Sequence, residues 1–258
     1  MNVQIAAPLL VSFLLATVRA AAWLFVAPPF ATRSIPSTVK AVTAFALALP
    51  VAPRLRVPVE SLSTPSLVAA VVLQVFTGTA LGFVSYLLFA AVQAAGDFID
   101  LVGSFSIASA YDPMSQAQNS VFGRFTYQIA VMLLFAVNGH LLVIEGFEKS
   151  YDLIPLDATV DLTRLDHVVT VGLAQMVMIA LEISAPMVAV LFMVDVSMGL
   201  LTKVAPSLQA FSLGFPAKIL TTLLLFGAFI PLFPGAVDHV VDLTLHALKA
   251  LYPAGGGS

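Results

Sequence analysis

Ser104, Ser106, His140 and His167 are the side chains from which a hydrolytic site in this sequence would have to be assembled. A serine nucleophile needs a base within hydrogen-bond reach and a third group to orient that base. Gly103-Ser104 lacks the flanking glycine of a nucleophile elbow, and nothing ties either serine to a histidine. His239 and His246, with Asp238 and Asp242 nearby, read as a surface pair rather than a metal set. No glycine-rich loop is followed by Lys-Ser/Thr, so nucleotide hydrolysis at a phosphate loop is not expected. The chain has no cysteine, hence no disulfide framework and no thiolate ligand. The expectation is therefore no catalytic residue, no metal and no cofactor. A net charge of -3 is too small to suggest nucleic acid.

The elements that would carry these residues are apolar. The chain is 60% hydrophobic and 10% charged, where a soluble domain carries about 25% charged residues. Leu67–Ala95, Phe125–Ile144 and Ile219–Val237 are long uncharged or nearly uncharged runs, each near the roughly 20 residues that cross a bilayer core. A plain count of apolar segments gives five or six crossings. Segment two, Val39–Leu49, is too short for one and is closed by Pro50 and Pro53. Arg19, Arg33, Lys40, Arg54 and Arg56 precede residue 67 against Glu60 alone, while the acids gather later. The positive-inside rule then places the Arg33–Arg56 region in the cytoplasm and the Asp152–Asp166 loop on the far side. The first apolar segment lacks a basic leader and reads as a retained helix.

The stretch from Gly96 to His140 organises the rest. Asp97 and Asp100 follow an uncharged run, Asp112-Pro113 breaks the chain, and Asn138-Gly139-His140 closes the next apolar run. Between them Phe105, Ile107, Tyr111, Met114 and Phe122 are too apolar for a solvated loop, and their neighbours are too polar for lipid. Such backbone is tolerated at membrane depth only against protein or a water-filled cavity, so the segment reads as re-entrant or pore-facing.

Charges and breakers recur elsewhere. Arg19 lies in the first apolar helix and has two readings, snorkelling to the interface or burial beside a partner subunit. Gly78 and Gly82 share a helix face on which another backbone can approach, within the chain or from a partner. Glu182, Pro186 and Asp195 sit in the fifth segment, where a lipid-facing helix would avoid them. Pro206 and Pro216 interrupt the apolar sequence between Lys203 and Lys218, which reads as a hairpin turning near Pro206. The last apolar run ends at Pro231 and Pro234, with an amphipathic helix over Val237–Leu251 expected to follow. One domain over residues 1–252 is expected, with a Gly/Ser tail at 253–258. Two function classes survive: an autonomous polytopic channel or transporter, and a subunit of a larger gated assembly.

The order and spacing of Arg19, Pro28, Pro36 to Lys40, Gly96-Asp97 through Asp112-Pro113, Asn138-Gly139-His140, Ser150 to Pro155, Lys203, Pro206, Phe211, Gly214-Phe215-Pro216 and Lys218 resemble the FliR/SctT family of type III secretion export proteins. The resemblance covers nearly the whole chain, and Asn-Gly-His favours its flagellar branch. It departs at Val102-Gly103-Ser104 and at Pro206-Ser207-Leu208-Gln209, where the family usually shows Gln-x-Gly and Pro-Gln-x-Asn. The resemblance implies an all-α, membrane-derived protein of helical hairpins in a helical export gate, without enzymatic activity. It implies FliP-like and FliQ-like companion subunits, FlhB-like and FlhA-like export components, unfolded flagellar proteins as cargo, contact with membrane lipid, and residence in the flagellar basal body at the bacterial inner membrane. The loop matching Phe105–Asn119 is expected to act as the pore plug, through Phe105, Ser106, Ile107, Tyr111, Asp112, Pro113 and Met114. Arg19, Asp97, Asp100, Asn138, His140, Glu182, Asp195, Lys203, Pro206, Phe215, Pro216 and Lys218 are expected to serve assembly.

Overall fold

The structure is a computed structural model and describes residues 3–55, 63–105, 120–156, 162–204 and 210–237, with 239 and 242. Its elements are α1 (Val3–Val26), α2 (Ser37–Ala48), a 3-10 turn at Ala52–Arg54, α3 (Thr64–Val102), α4 (Val121–Ala136), α5 (Gly139–Leu153), α6 (Leu162–Val204), α7 (Ala210–Phe229) and a 3-10 turn at Ile230–Leu232. The protein is all-α, as its apolar runs require, because a backbone in lipid must satisfy its own polar groups. Among the described residues, three helices are long and apolar enough to cross a membrane: Pro8–Val26, Thr64–Val102 and Val169–Val204. A fourth crossing exists if α4 and α5 form one broken span. Among the described residues this is fewer than the plain count of five or six: α2 is too short, as its sequence indicates, and so is the described apolar part of α7.

Two further differences have local causes. The Phe125–Ile144 run is not one helix, because Asn138 takes φ 57°, a left-handed conformation that ends α4 before α5 starts. Asparagine reaches that region more easily than other non-glycine residues. Pro216 does not break the chain but lies inside α7, on an exposed face. Its missing N–H forgoes one intrahelical bond there.

The chain divides into two compact units, with α3 and α6 contributing to both. In the first (residues up to Leu88, and Asn138–Leu173), Trp23 is fully buried, stacked on Phe147 at 4.4 Å and near Phe30 at 5.5 Å. Gly78 and Gly82 face α1: a Cβ on Gly78 would collide with the Arg19 carbonyl oxygen, and one on Gly82 would come within 2.9 Å of the Val26 Cβ. Of the two readings for this glycine pair, packing within the chain is the one observed. Lys40 on α2 is buried, its ammonium 5.1 Å from the centre of the Phe25 ring. In the second unit (Phe89–Val137 and Ala174–Val240) glycines again set the spacing. A Cβ on Gly96 would approach Thr126 Oγ1 to 2.5 Å and the Phe122 carbonyl oxygen to 2.6 Å, and Thr126 Oγ1 donates to the Val92 carbonyl at 3.1 Å.

Candidate functional site

Arg19 neither snorkels nor awaits a partner chain to bury it. Its side chain is fully buried within the first unit. Among the described residues the planar guanidinium directs Nε to Gln74 Oε1 at 2.6 Å, Nη1 to the Ser150 carbonyl at 3.1 Å, and Nη2 to the Ile154 carbonyl at 2.9 Å. Ser150 lies in the last turn of α5, where the helix dipole favours a cation, and its carbonyl, which also accepts the Ile154 N–H at 2.9 Å, takes the guanidinium on its second lone pair. Tyr151 lies beneath, its ring centre 4.7 Å from Arg19 Cζ, and its hydroxyl donates to the Ala16 carbonyl at 2.7 Å. Gln74 uses its other end to donate to the Leu156 carbonyl at 2.8 Å. One side chain of α1 thus ties α3 to the end of α5 and to the turn after it.

The second assembly of polar groups sits where α3 ends and α4 begins. Asp100, buried on the last turn of α3, lies at the start of α4 beside the backbone of Val121 and Phe122 and the Ser120 side chain, and its Oδ1 is buried without a hydrogen-bond partner among the described residues. Ser120 caps α4 by accepting from the Gly123 N–H at 2.7 Å. Asp97 is exposed, yet its carboxylate lies against Gly123 in the space a Cβ would fill. Both acids therefore meet the electropositive start of a helix, which explains their place at the edge of an apolar run. Phe105 packs edge-on against Phe122 at 4.9 Å, and Phe122 packs on Phe226 at 4.8 Å. The two ends of the 106–119 segment are thereby held side by side.

Helix α3 closes on an unusual pair. Gly103 N–H bonds to the Ile99 carbonyl at 2.7 Å, but the left-handed residue is Ser104, with φ 69°. Gly103 is kept small for another reason, since a Cβ there would stand 2.9 Å from Thr222 Oγ1 on α7.

The other expected residues divide. Asp195 and Lys218 are joined at 2.7 Å, so these two charges satisfy each other within the chain. Glu182 and Lys203 are exposed on α6 and take no ion pair among the described residues. Asn138 is exposed at the α4–α5 break, while His140 and Phe215 are half-buried. Ser106, Ile107, Tyr111, Asp112, Pro113, Met114 and Pro206 lie outside the described residues. So does most of the Val237–Leu251 segment.

Gln74, Ser120 and Gly123 are the participants that sequence reasoning passed over, and Ser150 and Tyr151 enter it only within the Ser150–Pro155 stretch of the resemblance, without a role. A signal existed for the first: Gln74, Gly78 and Gly82 recur every four residues, one polar and two bare positions on one helical face. Ser120 immediately before an apolar run is a helix-start signal of the ordinary kind. Ser150 enters through its backbone carbonyl, which no sequence marks.

The sequence profile of the bacterial export proteins, family 1, matches residues 10–244. The chain is 30% identical over 243 residues to the flagellar biosynthetic protein FliR of Bacillus subtilis, covering 93% of this chain and 94% of that protein. It is 29% identical over 231 residues to the FliR of Escherichia coli, 86% of this chain and 85% of the relative. Similarity extends to the surface presentation of antigens protein SpaR of Shigella flexneri, at 25% over 147 residues and 57% of each chain.

Proposed function

The chain belongs to the bacterial export proteins, family 1, as a flagellar export component of the FliR kind, and from that premise we propose that it is a lining and plugging subunit of the flagellar type III export gate. The observation that carries the reading is near full-length similarity to flagellar FliR proteins. The architecture supports it physically. Only 28% of the most apolar window of the α6 span is buried by the chain itself, and Leu181, Phe192, Met193, Leu200 and Val204 stand exposed along that helix. Apolar surface of that extent requires lipid or other subunits to cover it.

In this reading FliP-like and FliQ-like subunits cover those faces, FlhB-like and FlhA-like components join the gate, and the complex sits in the inner membrane at the flagellar basal body. The segment from Phe105 to Asn119 closes the channel at rest, and unfolded flagellar proteins pass when it moves. The chain does no covalent chemistry, so the energy for transport comes from other components. Native mass measurement of the intact complex purified through this chain tests the reading. Two unlike small membrane proteins should accompany it in fixed ratio. A functional monomer or homo-oligomer would instead identify an autonomous transporter.

A further inference from the structure

Within the second unit a cavity of about 260 Å³ is lined by Ile99, Ile179, Ile183, Met187, Phe229 and Phe233, and by Glu182 and His239 as its titratable groups. It is smaller than the ~300–1,000 Å³ of sites that hold whole cofactors or drug-sized ligands, so it suits a single long side chain. Glu182 has no partner among the described residues, although it lies within the apolar Val169–Val204 span. A carboxylate at such depth is costly unless a cation or dense hydrogen bonding meets it. Nothing of that kind reaches it from this chain's described residues.

Resting on the export-gate reading above, we propose that this cavity receives a lysine or arginine carried by an apolar helix of a partner gate subunit. The aliphatic stem of that residue lies along Ile183, Met187 and Phe233, and its charge meets Glu182. The complementarity is double: an apolar slot suits a stem of several methylenes, and its acidic edge suits the terminal cation. A lipid amine is the poorer occupant. That amine sits two carbons from an anionic phosphate, which the apolar slot and its acidic edge both disfavour.

The test uses the complete complex co-expressed with its companion subunits. With Glu182→Gln, an isosteric change at an exposed position, recovery of the companions through this chain should fall at least about tenfold, since a desolvated cation in the partner loses its counter-charge. Accumulation of the chain itself should not change. In parallel, Ile183→p-benzoylphenylalanine should cross-link in the assembled complex to a companion subunit, within one helical turn of a Lys or Arg. Undiminished recovery with Glu182→Gln overturns the inference, as does a cross-link to lipid, to a second copy of this chain, or to a partner segment without a base. If Glu182→Gln lowers accumulation of the chain as well, the cross-linked position alone decides. Failure of the parent chain to bring down any companion subunit is a different result, and overturns the export-gate reading itself.

Discussion

Arg19 Nε and Gln74 Oε1 lie 2.6 Å apart although 55 residues separate them in sequence. The bond joins α1 to α3 one helical turn from Gly78, whose bare backbone lets the two helices approach that closely. Guanidinium, amide and glycine therefore form one device, in which the close approach makes the hydrogen bond possible and the bond satisfies a charge inside an apolar helix.

Replacing Arg19 should show that its shape matters as well as its charge. Arg19→Ala strands the Gln74 oxygen and removes the donor from the Ile154 carbonyl, at about 1–3 kcal/mol for each buried group left unpaired, while the Ser150 carbonyl keeps the Ile154 N–H. Arg19→Lys keeps the cation, but an ammonium cannot reproduce the planar fork. Both variants should lower the thermal stability of the purified complex, with lysine recovering less than half the loss. Full recovery by lysine would mean that charge alone suffices.

That network also marks where sequence reasoning stopped. The helices were legible because long apolar runs leave no other spanning structure, and Arg19, Gly78 and Gly82 stood out as anomalies within them. Their resolution was not legible. Arg19 is answered by carbonyls 131 and 135 residues away, and backbone acceptors leave no trace in residue type. The Asp97–Asp100 pair is similar: its sequence marks it as the polar opening of a pore-facing segment and as serving assembly, but not its place against the start of α4. Pro216 misled in the other direction, because a proline on an exposed helix face interrupts less than its reputation suggests.

The glycines should separate into two classes by alanine substitution. Gly78→Ala and Gly82→Ala drive a methyl into α1 and should destabilise the chain by about 1–3 kcal/mol. Gly227 on α7 has nothing within 4 Å of its added methyl. Gly227→Ala should therefore raise the stability of the isolated chain by up to about 1 kcal/mol through helix propensity. Thermal melts of the isolated chain in detergent check both. Equal losses at Gly78 and Gly227 would contradict the packing described for α1 and α3.

The end of α3 offers a change in the stabilising direction. Ser104 holds a left-handed backbone that costs a non-glycine residue about 1–2 kcal/mol, while Gly103 is needed small for Thr222. Ser104→Gly should raise the melting temperature of the complex and Gly103→Ala should lower it. The double exchange Gly103→Ser with Ser104→Gly should behave like the worse of the two. A neutral Gly103→Ala would show that α7 can yield at Thr222.

The plug assignment makes the most direct demand on function. A channel wide enough for an unfolded chain leaks small solutes unless closed at rest, and apolar side chains close pores by excluding water. Phe105, Ile107, Tyr111 and Met114 provide that bulk. Gly103 and Pro113 make the stretch a poor rigid helix, being unfavourable there by about 1 and 3 kcal/mol. Because Phe105 already touches Phe122, deleting Ser106 to Gln116 leaves Ala117, Gln118 and Asn119 to bridge Phe105 and Ser120, a reach of up to about 14 Å. Asp97, Asp100, Ser120 and Arg124 stay in place, so the junction of α3 with α4 should survive and the complex should assemble. Cells expressing the whole gate with this deletion should take up small solutes faster than cells with the parent gate. An assembled deletion complex that stays as tight as the parent would remove this segment from the role of plug.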